Sequence, residues 1–306
     1  MIPAPRATDD LAVFESHRPA LLGLAYRMLG DVGRAQDMVQ EAWLRWHRRE
    51  VDVDSPKAFL VTVVTRLCLT DLTSARARRE QSRSDRLPEP VDLEVGGLSR
   101  LDELEQLSMA ILVVLERLTP PERATLLLHD VFDFAHEEIA TLVSRTPAAC
   151  RKLLERARQK IAAGRRLITA SRAEHQRLLD AFLNAASAGD VTALTNLLAA
   201  DAVLVTDGGP DGRLFRGIRN LRRPLEGAGR VAAFVVATSR RAQLQVKQRE
   251  LNGQPALVFY RDERPFAAVL LAAAEGKIQR VFFQADPARL GHLGPMRAER
   301  ATDRSG

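Results

Sequence analysis

The stretch that decides the architecture is Thr119–Ile161, TPPERATLLLHDVFDFAHEEIATLVSRTPAACRKLLERARQKI. Thr119-Pro120-Pro121-Glu122 has the Thr-to-Glu spacing of a capping box, with proline at the first helical position, so a helix starts there and runs to about Val131. Phe134–Val143 reads as a short helix with Ile139, Leu142 and Val143 on its core side. Ser144-Arg145 is a tight turn, Thr146 caps the next helix and Pro147 opens it. A short helix, a turn of a few residues and a longer basic helix form the helix-turn-helix plan, and Ala140 and Ala149 are small enough for the two helices to approach closely. In that plan the second helix enters the major groove. Thr146, Arg151 and Lys152 then face base edges, and Arg156 faces a phosphate.

Charge supports a polyanionic partner. The 306 residues carry a formal net charge of +6, and the basic residues cluster. Eight Lys or Arg against the single acid Glu155 lie between Arg145 and Arg166, and five Arg against Glu80 and Asp85 lie between Arg76 and Arg86. Such clusters bind nucleic acid through release of condensed counterions.

The basic segment Arg76–Arg86 follows a second helical unit. In Val32–Arg49 the apolar residues Ala35, Met38, Val39, Ala42, Trp43 and Trp46 recur at helical spacing. Asp37, Gln40 and Glu41 fall on another face, with Asp37 and Glu41 at i and i+4. Like charges so placed repel, which points to a basic partner surface. A further helix opens at Ser55-Pro56 and buries Phe59, Leu60, Val63, Val64 and Leu67. It carries Arg66, Thr70, Asp71 and Ser74 into Arg76, Arg78 and Arg79, a side suited to DNA.

Composition sets the outer bounds. At 46% hydrophobic and 27% charged residues the chain can build an ordinary core, and at roughly 150 residues per domain it holds about two domains. The longest apolar run, Phe266–Ala274, is too short to span a bilayer, and the N-terminus lacks an apolar signal region, so a cytoplasmic protein is expected. Cys68 and Cys150 stand alone, which excludes a disulfide framework and a Cys-rich metal site; both read as buried small hydrophobes. Neither a metal nor another cofactor is expected.

The chain divides into helices over 1–80, a linker over 81–106 marked by Pro88, Pro90 and Gly96-Gly97, helices over 107–168, an α+β domain over 172–292 and a polar tail over 293–306. The α+β domain begins with two helices split at Gly189-Asp190. Strand-like runs follow at Ala202–Thr206, Val231–Thr238, Gln243–Leu251, Ala256–Arg261, Ala267–Ala274 and Ile278–Gln284. Asn252-Gly253 between two such runs marks a hairpin.

These residues resemble a known family. DVGRAQDMVQEAWLRWHRR is similar to the region 2.1–2.2 helix of bacterial extracytoplasmic-function sigma factors, SPKAFLVTVVTRLCLTDLTSARARRE to their regions 2.3–2.4, and LERLTPPERATLLLHDVFDFAHEEIATLVSRTPAACRKLLERARQKI to region 4. The resemblance implies all-α region 2 and region 4 domains that bind core RNA polymerase, at the β′ clamp and the β flap, and promoter DNA. Asp37, Gln40 and Glu41 match the clamp-docking face. Phe59, Arg66, Thr70, Ser74, Arg76, Arg78 and Arg79 fall on the −10 side, and Thr146, Arg151, Lys152 and Arg156 on the −35 side. Many members carry Asn four residues before the region 2.4 Asp; here Leu67 precedes Asp71, so that base-reading role does not carry over.

AEHQRLLDAFLNAASAGDVTALTNLLAADAVLVTDGG resembles the start of a SnoaL-like, NTF2-like domain, a curved sheet and helices forming a cone. Sigma factors with this fusion form a SigJ-like group, in which the domain acts as a built-in regulator. Its linker motif appears as Leu87-Pro88-Glu89-Pro90, its Gly-rich motif as Asp207-Gly208-Gly209-Pro210, and its terminal motif as Asp286-Pro287-Ala288-Arg289-Leu290, each weaker than the group's pattern. Regulatory contacts are expected at Leu87, Pro88, Glu89, Pro90, Asp207, Gly208, Gly209 and Asp286.

Enzyme chemistry on the cone is poorly supplied. His175 starts a helix, Tyr260 reads as core, and Asp207 is explained by a turn before two glycines. The pocket of the fold leaves room for a small apolar ligand as a further partner. The rival reading is a ligand-sensing helix-turn-helix regulator that does not act through polymerase; it leaves the acidic face of the first unit unexplained.

Overall fold

The computed structural model describes residues 6–74, 86–92, 108–209, 214–215, 218–219, 221, 223–239 and 244–296. Arg76, Arg78 and Arg79, most of the linker and the tail beyond residue 296 lie outside the described residues.

Three helices form the first unit: α1 (Arg6–Leu29), α2 (Val32–His47) and α3 (Pro56–Thr73). Asp31 and Ser55 cap α2 and α3 by accepting the N–H groups of Arg34 and Ala58. The second unit holds α4 (Met109–Glu116), α5 (Pro120–Asp130), α6 (His136–Val143) and α7 (Pro147–Arg165). The capping box at Thr119 and Glu122 is formed, and Ser144 turns the chain between α6 and α7 with φ 53°. The short helix opens at His136, two residues later than the sequence suggests, because the Glu138 carboxylate accepts the Ala135 N–H and fixes the start there. The two units share one core. Leu24, Ala35, Trp46, Val64 and Cys68 belong to the same buried cluster as Leu115, Leu128, Ile139, Cys150 and Leu154.

The C-terminal domain starts with α8 (Arg172–Ala188) and α9 (Val191–Leu197), which run into β1 (Leu198–Asp207). The pairs β2 (Leu214–Phe215) and β3 (Ile218–Arg219) form a separate ribbon. Then come β4 (Leu225–Glu226), α10 (Ala228–Ser239), β5 (Gln245–Leu251), β6 (Gln254–Arg261), β7 (Arg264–Ala274), β8 (Lys277–Gln284) and the short α11 (Pro287–Leu290). The main sheet has the order β4-β1-β8-β7-β6-β5, with β1 parallel to β8 and the other pairs antiparallel. Register shifts in three of its pairings bend it. The β5–β6 turn is Asn252-Gly253, with positive φ at both residues. This is the α+β layout expected.

One sequence expectation is corrected. Val231–Thr238 is not a strand but the body of α10. Its buried residues Val231, Ala232, Val235 and Val236 recur at helical spacing, and packing of that stripe outweighs the β preference of its valines.

Both faces of the sheet are covered. Val269, Leu271 and Ala273 of β7 pack with α8–α10, while Ala268, Leu270 and Ala272 point the other way into a cluster with Leu87, Met109 and Ala110. Alternation along a strand sends neighbours to opposite faces, so the nine-residue apolar run feeds two cores. The second core joins the domain to the linker and to α4.

Candidate functional site

Three exposed faces and one buried junction carry the candidate residues. On α2, Asp37 and Gln40 are exposed and Glu41 is half-exposed, pairing with Arg45 at 2.9 Å. The buried stripe Val32, Ala35, Val39, Ala42 and Trp46 holds the opposite side of the helix in the core.

On α3, Arg66 and Thr70 are exposed on one face, and the Thr70 hydroxyl donates to the Arg66 carbonyl at 2.9 Å. Ser74 ends the helix. Phe59 is half-buried, with its ring 5.8 Å from that of Trp46. Asp71 is engaged by Arg34, and Leu67 packs against the core.

On α7, Arg151, Lys152 and Arg156 are exposed. Their neighbours are occupied: Arg158 pairs with Asp130 at 2.5 Å and Lys160 with Glu122 at 2.9 Å. Thr146 is exposed, and its hydroxyl accepts the Ala149 N–H at 3.2 Å, so its oxygen serves as the helix cap.

The junction is built around the extended segment Leu87–Asp92. Its prolines remove every second N–H and hold the preceding residues extended. Of the donors that remain, those of Leu87, Glu89 and Val91 each find an acceptor. The Leu87 N–H donates to Asp207 at 2.9 Å, the Glu89 N–H to the Gly30 carbonyl at 3.0 Å, and the Val91 N–H to the Asn252 side chain at 3.1 Å. The segment therefore ties region α1–α2 to the sheet domain. The Tyr26 hydroxyl donates to the Glu89 carbonyl at 2.6 Å and accepts from the Asn252 amide at 2.8 Å. Arg249 pairs with Asp92, the Pro90 carbonyl lies 2.6 Å from His292 Nε2, and Arg289 donates to the Leu87 carbonyl.

Asp207 does make the expected turn, accepting the Gly209 N–H at 2.9 Å, but it is 5% exposed and also accepts from Leu87 and, at 3.3 Å, from Gln284. Gly209 has φ +81°, and a Cβ there would come within 2.9 Å of the Asp286 carboxylate. Asp286 caps α11. Gly208 is half-buried beside them, and Pro88 and Pro90 are buried. Burial pushes the Glu89 carboxyl up to about 7, against the opposing help of the Val32 N–H that it accepts at 2.6 Å. Burial lowers His292.

Sequence reading missed Tyr26, Asn252, Arg289 and His292. Asn252 was read only as a turn; it is also buried, and its side-chain oxygen accepts the Val91 N–H.

The Sigma-70 region 2 family matches residues 13–78, and the Sigma-70 region 4 family matches residues 108–161. A probable ECF RNA polymerase sigma factor, SigI of Mycobacterium tuberculosis, is 32% identical over 292 residues, covering 94% of this chain and 96% of that protein. The chain belongs to the extracytoplasmic-function sigma factors. This sigma factor is also similar to SigJ of the same organism, at 33% identity over 297 residues, covering 91% and 92% of the two chains. The crystal structure of SigJ superposes with a TM-score of 0.71 at 27% identity, covering 94% of this sigma factor and all of that chain (100%). The likeness thus extends through the sheet domain. Among the described residues no helix of this sigma factor is long and apolar enough to cross a membrane.

Proposed function

We propose that this sigma factor binds core RNA polymerase in the cytoplasm and directs promoter-specific initiation, with its C-terminal domain regulating that activity. Asp37, Gln40 and Glu41 dock on the β′ clamp, and region 4 reaches the β flap. Phe59, Arg66, Thr70 and Ser74, continued by Arg76, Arg78 and Arg79, serve the −10 element. Thr146, Arg151, Lys152 and Arg156 serve the −35 element. Leu87, Pro88, Glu89, Pro90, Asp207, Gly208, Gly209 and Asp286 form the regulatory contact.

One observation carries the reading. The acidic face of α2 and the basic face of α7 are exposed, while Leu87–Asp92 of the segment between the two units is buried, with Leu87 packed in the second core of the C-terminal sheet. A domain that grips the linker acts on the spacing of regions 2 and 4 without covering either face. The reading includes neither catalysis nor an apolar ligand. Leu179, Val231, Leu257 and Val269 lie in one buried cluster between the sheet and α8–α10.

Binding of the full chain to purified core polymerase, followed by run-off transcription on a promoter library, tests it. Selective initiation is the expected result. DNA binding without any polymerase binding would replace this reading with the ligand-sensing regulator.

A further inference from the structure

A cleft of about 510 Å³ runs between α6 and α7, lined by His136 from the first helix and by Arg151, Glu155, Arg158 and Gln159 from the second. Its fixed charges cancel locally. Arg158 donates to Asp130 of α5 through Nε at 3.2 Å and through a terminal nitrogen at 2.5 Å, so its charge is matched. Arg151 and Glu155 are exposed on the same wall, one turn apart and opposite in sign. Among the lining residues, protonation of His136 therefore decides whether the cleft carries a net positive charge.

The His136 ring is set to donate outward. It stacks on His129, with ring centroids 4.9 Å apart and planes inclined by 25°. His129 Nδ1 lies 2.9 Å from the Asp130 carboxylate, which can only accept, so that nitrogen holds the His129 proton. His136 Nδ1 is buried and has no partner among the described residues. A donor hidden there would be costly, so the neutral ring keeps its proton on Nε2, the nitrogen left for the cleft. Burial, His129 and Arg151 disfavour the charged ring, Glu137 favours it and Arg158 opposes it, and together they hold the imidazole below its ordinary value. In the free protein near neutral pH the cleft thus offers an uncharged N–H donor.

This position suits the DNA backbone. In a helix-turn-helix the second helix lies in the major groove while the first crosses the sugar–phosphate backbone. The cleft lies where the two helices meet, and Arg151, which the −35 reading aims at base edges, forms part of its wall.

We propose that the cleft seats a phosphate of the DNA backbone flanking the −35 element, bound by His136 Nε2 and Gln159, and that the histidine takes up a proton from solvent as the phosphate arrives. The inference deepens the sigma reading: it rests on region 4 contacting promoter DNA and adds a proton to that contact. An opposite charge at about 4–6 Å favours the charged ring, so the phosphate reverses the balance set by His129 and Arg151. The bound state then holds more protons than the free one. Affinity rises as pH falls, and it rises alike on every sequence, because a phosphate carries no base identity.

The test is fluorescence anisotropy of the full chain, alone and with core polymerase, on labelled duplexes of several sequences in phosphate-free buffer. From about pH 8 to about pH 6 the affinity of wild type is expected to gain roughly fivefold on that of His136→Gln, by the same factor on each duplex. The salt slope of wild type should steepen by about one over that range, and that of the variant should not. Gln159→Lys, at an exposed position, supplies a permanent cation and should tighten binding several-fold at about pH 8, whether or not the histidine variant folds. Parallel pH curves for wild type and folded His136→Gln would overturn the proposal. So would unchanged binding by Gln159→Lys. A proton effect confined to one sequence would overturn the phosphate in favour of a base edge. Absence of DNA binding by every form at every pH would overturn this contact and the helix-turn-helix reading together. Proton-linked DNA binding without polymerase binding or initiation would leave the contact standing and overturn the sigma reading instead.

Discussion

The N–H of Leu87 donates to the buried carboxylate of Asp207 at 2.9 Å, joining residues 120 positions apart. Together with the bonds of Glu89 and Val91 it seats Leu87–Asp92 against the sheet domain. Leu87 then fills a cluster with Met109, Val205 and Leu270, and full burial of such a side chain is worth about 1.5–3 kcal/mol.

Asp207→Asn should therefore destabilise the full chain. The carboxylate accepts from Leu87, Gly209 and Gln284 through two oxygens, and an amide offers only one. At least one buried N–H loses its partner, at a cost of about 1–3 kcal/mol. Denaturant unfolding of the two proteins side by side measures it; an unchanged midpoint would mean the bond is not felt.

Glu89 makes stability depend on pH. Burial raises its folded carboxyl to about 7 from an unfolded value near 4.5, so the folded state holds the proton more tightly. Its contribution is fully present below the unfolded value and is lost as pH rises through the folded one. Wild type should lose stability relative to Glu89→Gln between about pH 5 and about pH 8, because the amide still accepts the Val32 N–H and cannot ionise. Parallel stability curves for the two proteins would exclude this assignment.

Arg151 and Arg156 separate by role. Arg151→Ala should cost about 1–3 kcal/mol on cognate −35 sequences and relax specificity there. Arg156→Ala should weaken all sequences alike and lower the salt slope by about one. Anisotropy titrations over several DNA sequences and salt concentrations distinguish them. A uniform loss for Arg151→Ala would remove it from base reading.

Asp37→Arg should abolish polymerase binding while the fold persists, because Asp37 is exposed and the core stripe of α2 lies on the other side. Co-purification with core polymerase and thermal unfolding answer the two halves. Retained binding would move the docking face elsewhere on region 2.

Local signals in the chain were strong where a rule of short range applies. Thr119 and Glu122 form their capping box, Asn252-Gly253 forms its turn, and Cys68 and Cys150 are buried and free. The run Phe266–Ala274 carried more than its exclusion of a membrane span. An apolar strand without alternation is buried on both faces, and it could have announced that something covers the outer side of the sheet. Val231–Thr238 went the other way, because its helical stripe was outvoted by β-branched composition.

What the sequence by itself determined is most of the helices, five strands of the main sheet, the helix-turn-helix, and the charged faces of α2 and α7, since caps, turns and periodicity are encoded within a few residues of one another. What only the tertiary structure decided is that Leu87–Asp92 is a buried seam rather than a loose tether, and that Arg123 and Arg289 meet at the end of α1. Those partners are separated by up to 259 positions, and nothing local distinguishes an arginine that will reach solvent from one that will cap a distant helix. Their meeting depends on how the domains pack, through apolar contacts that have no direction of their own.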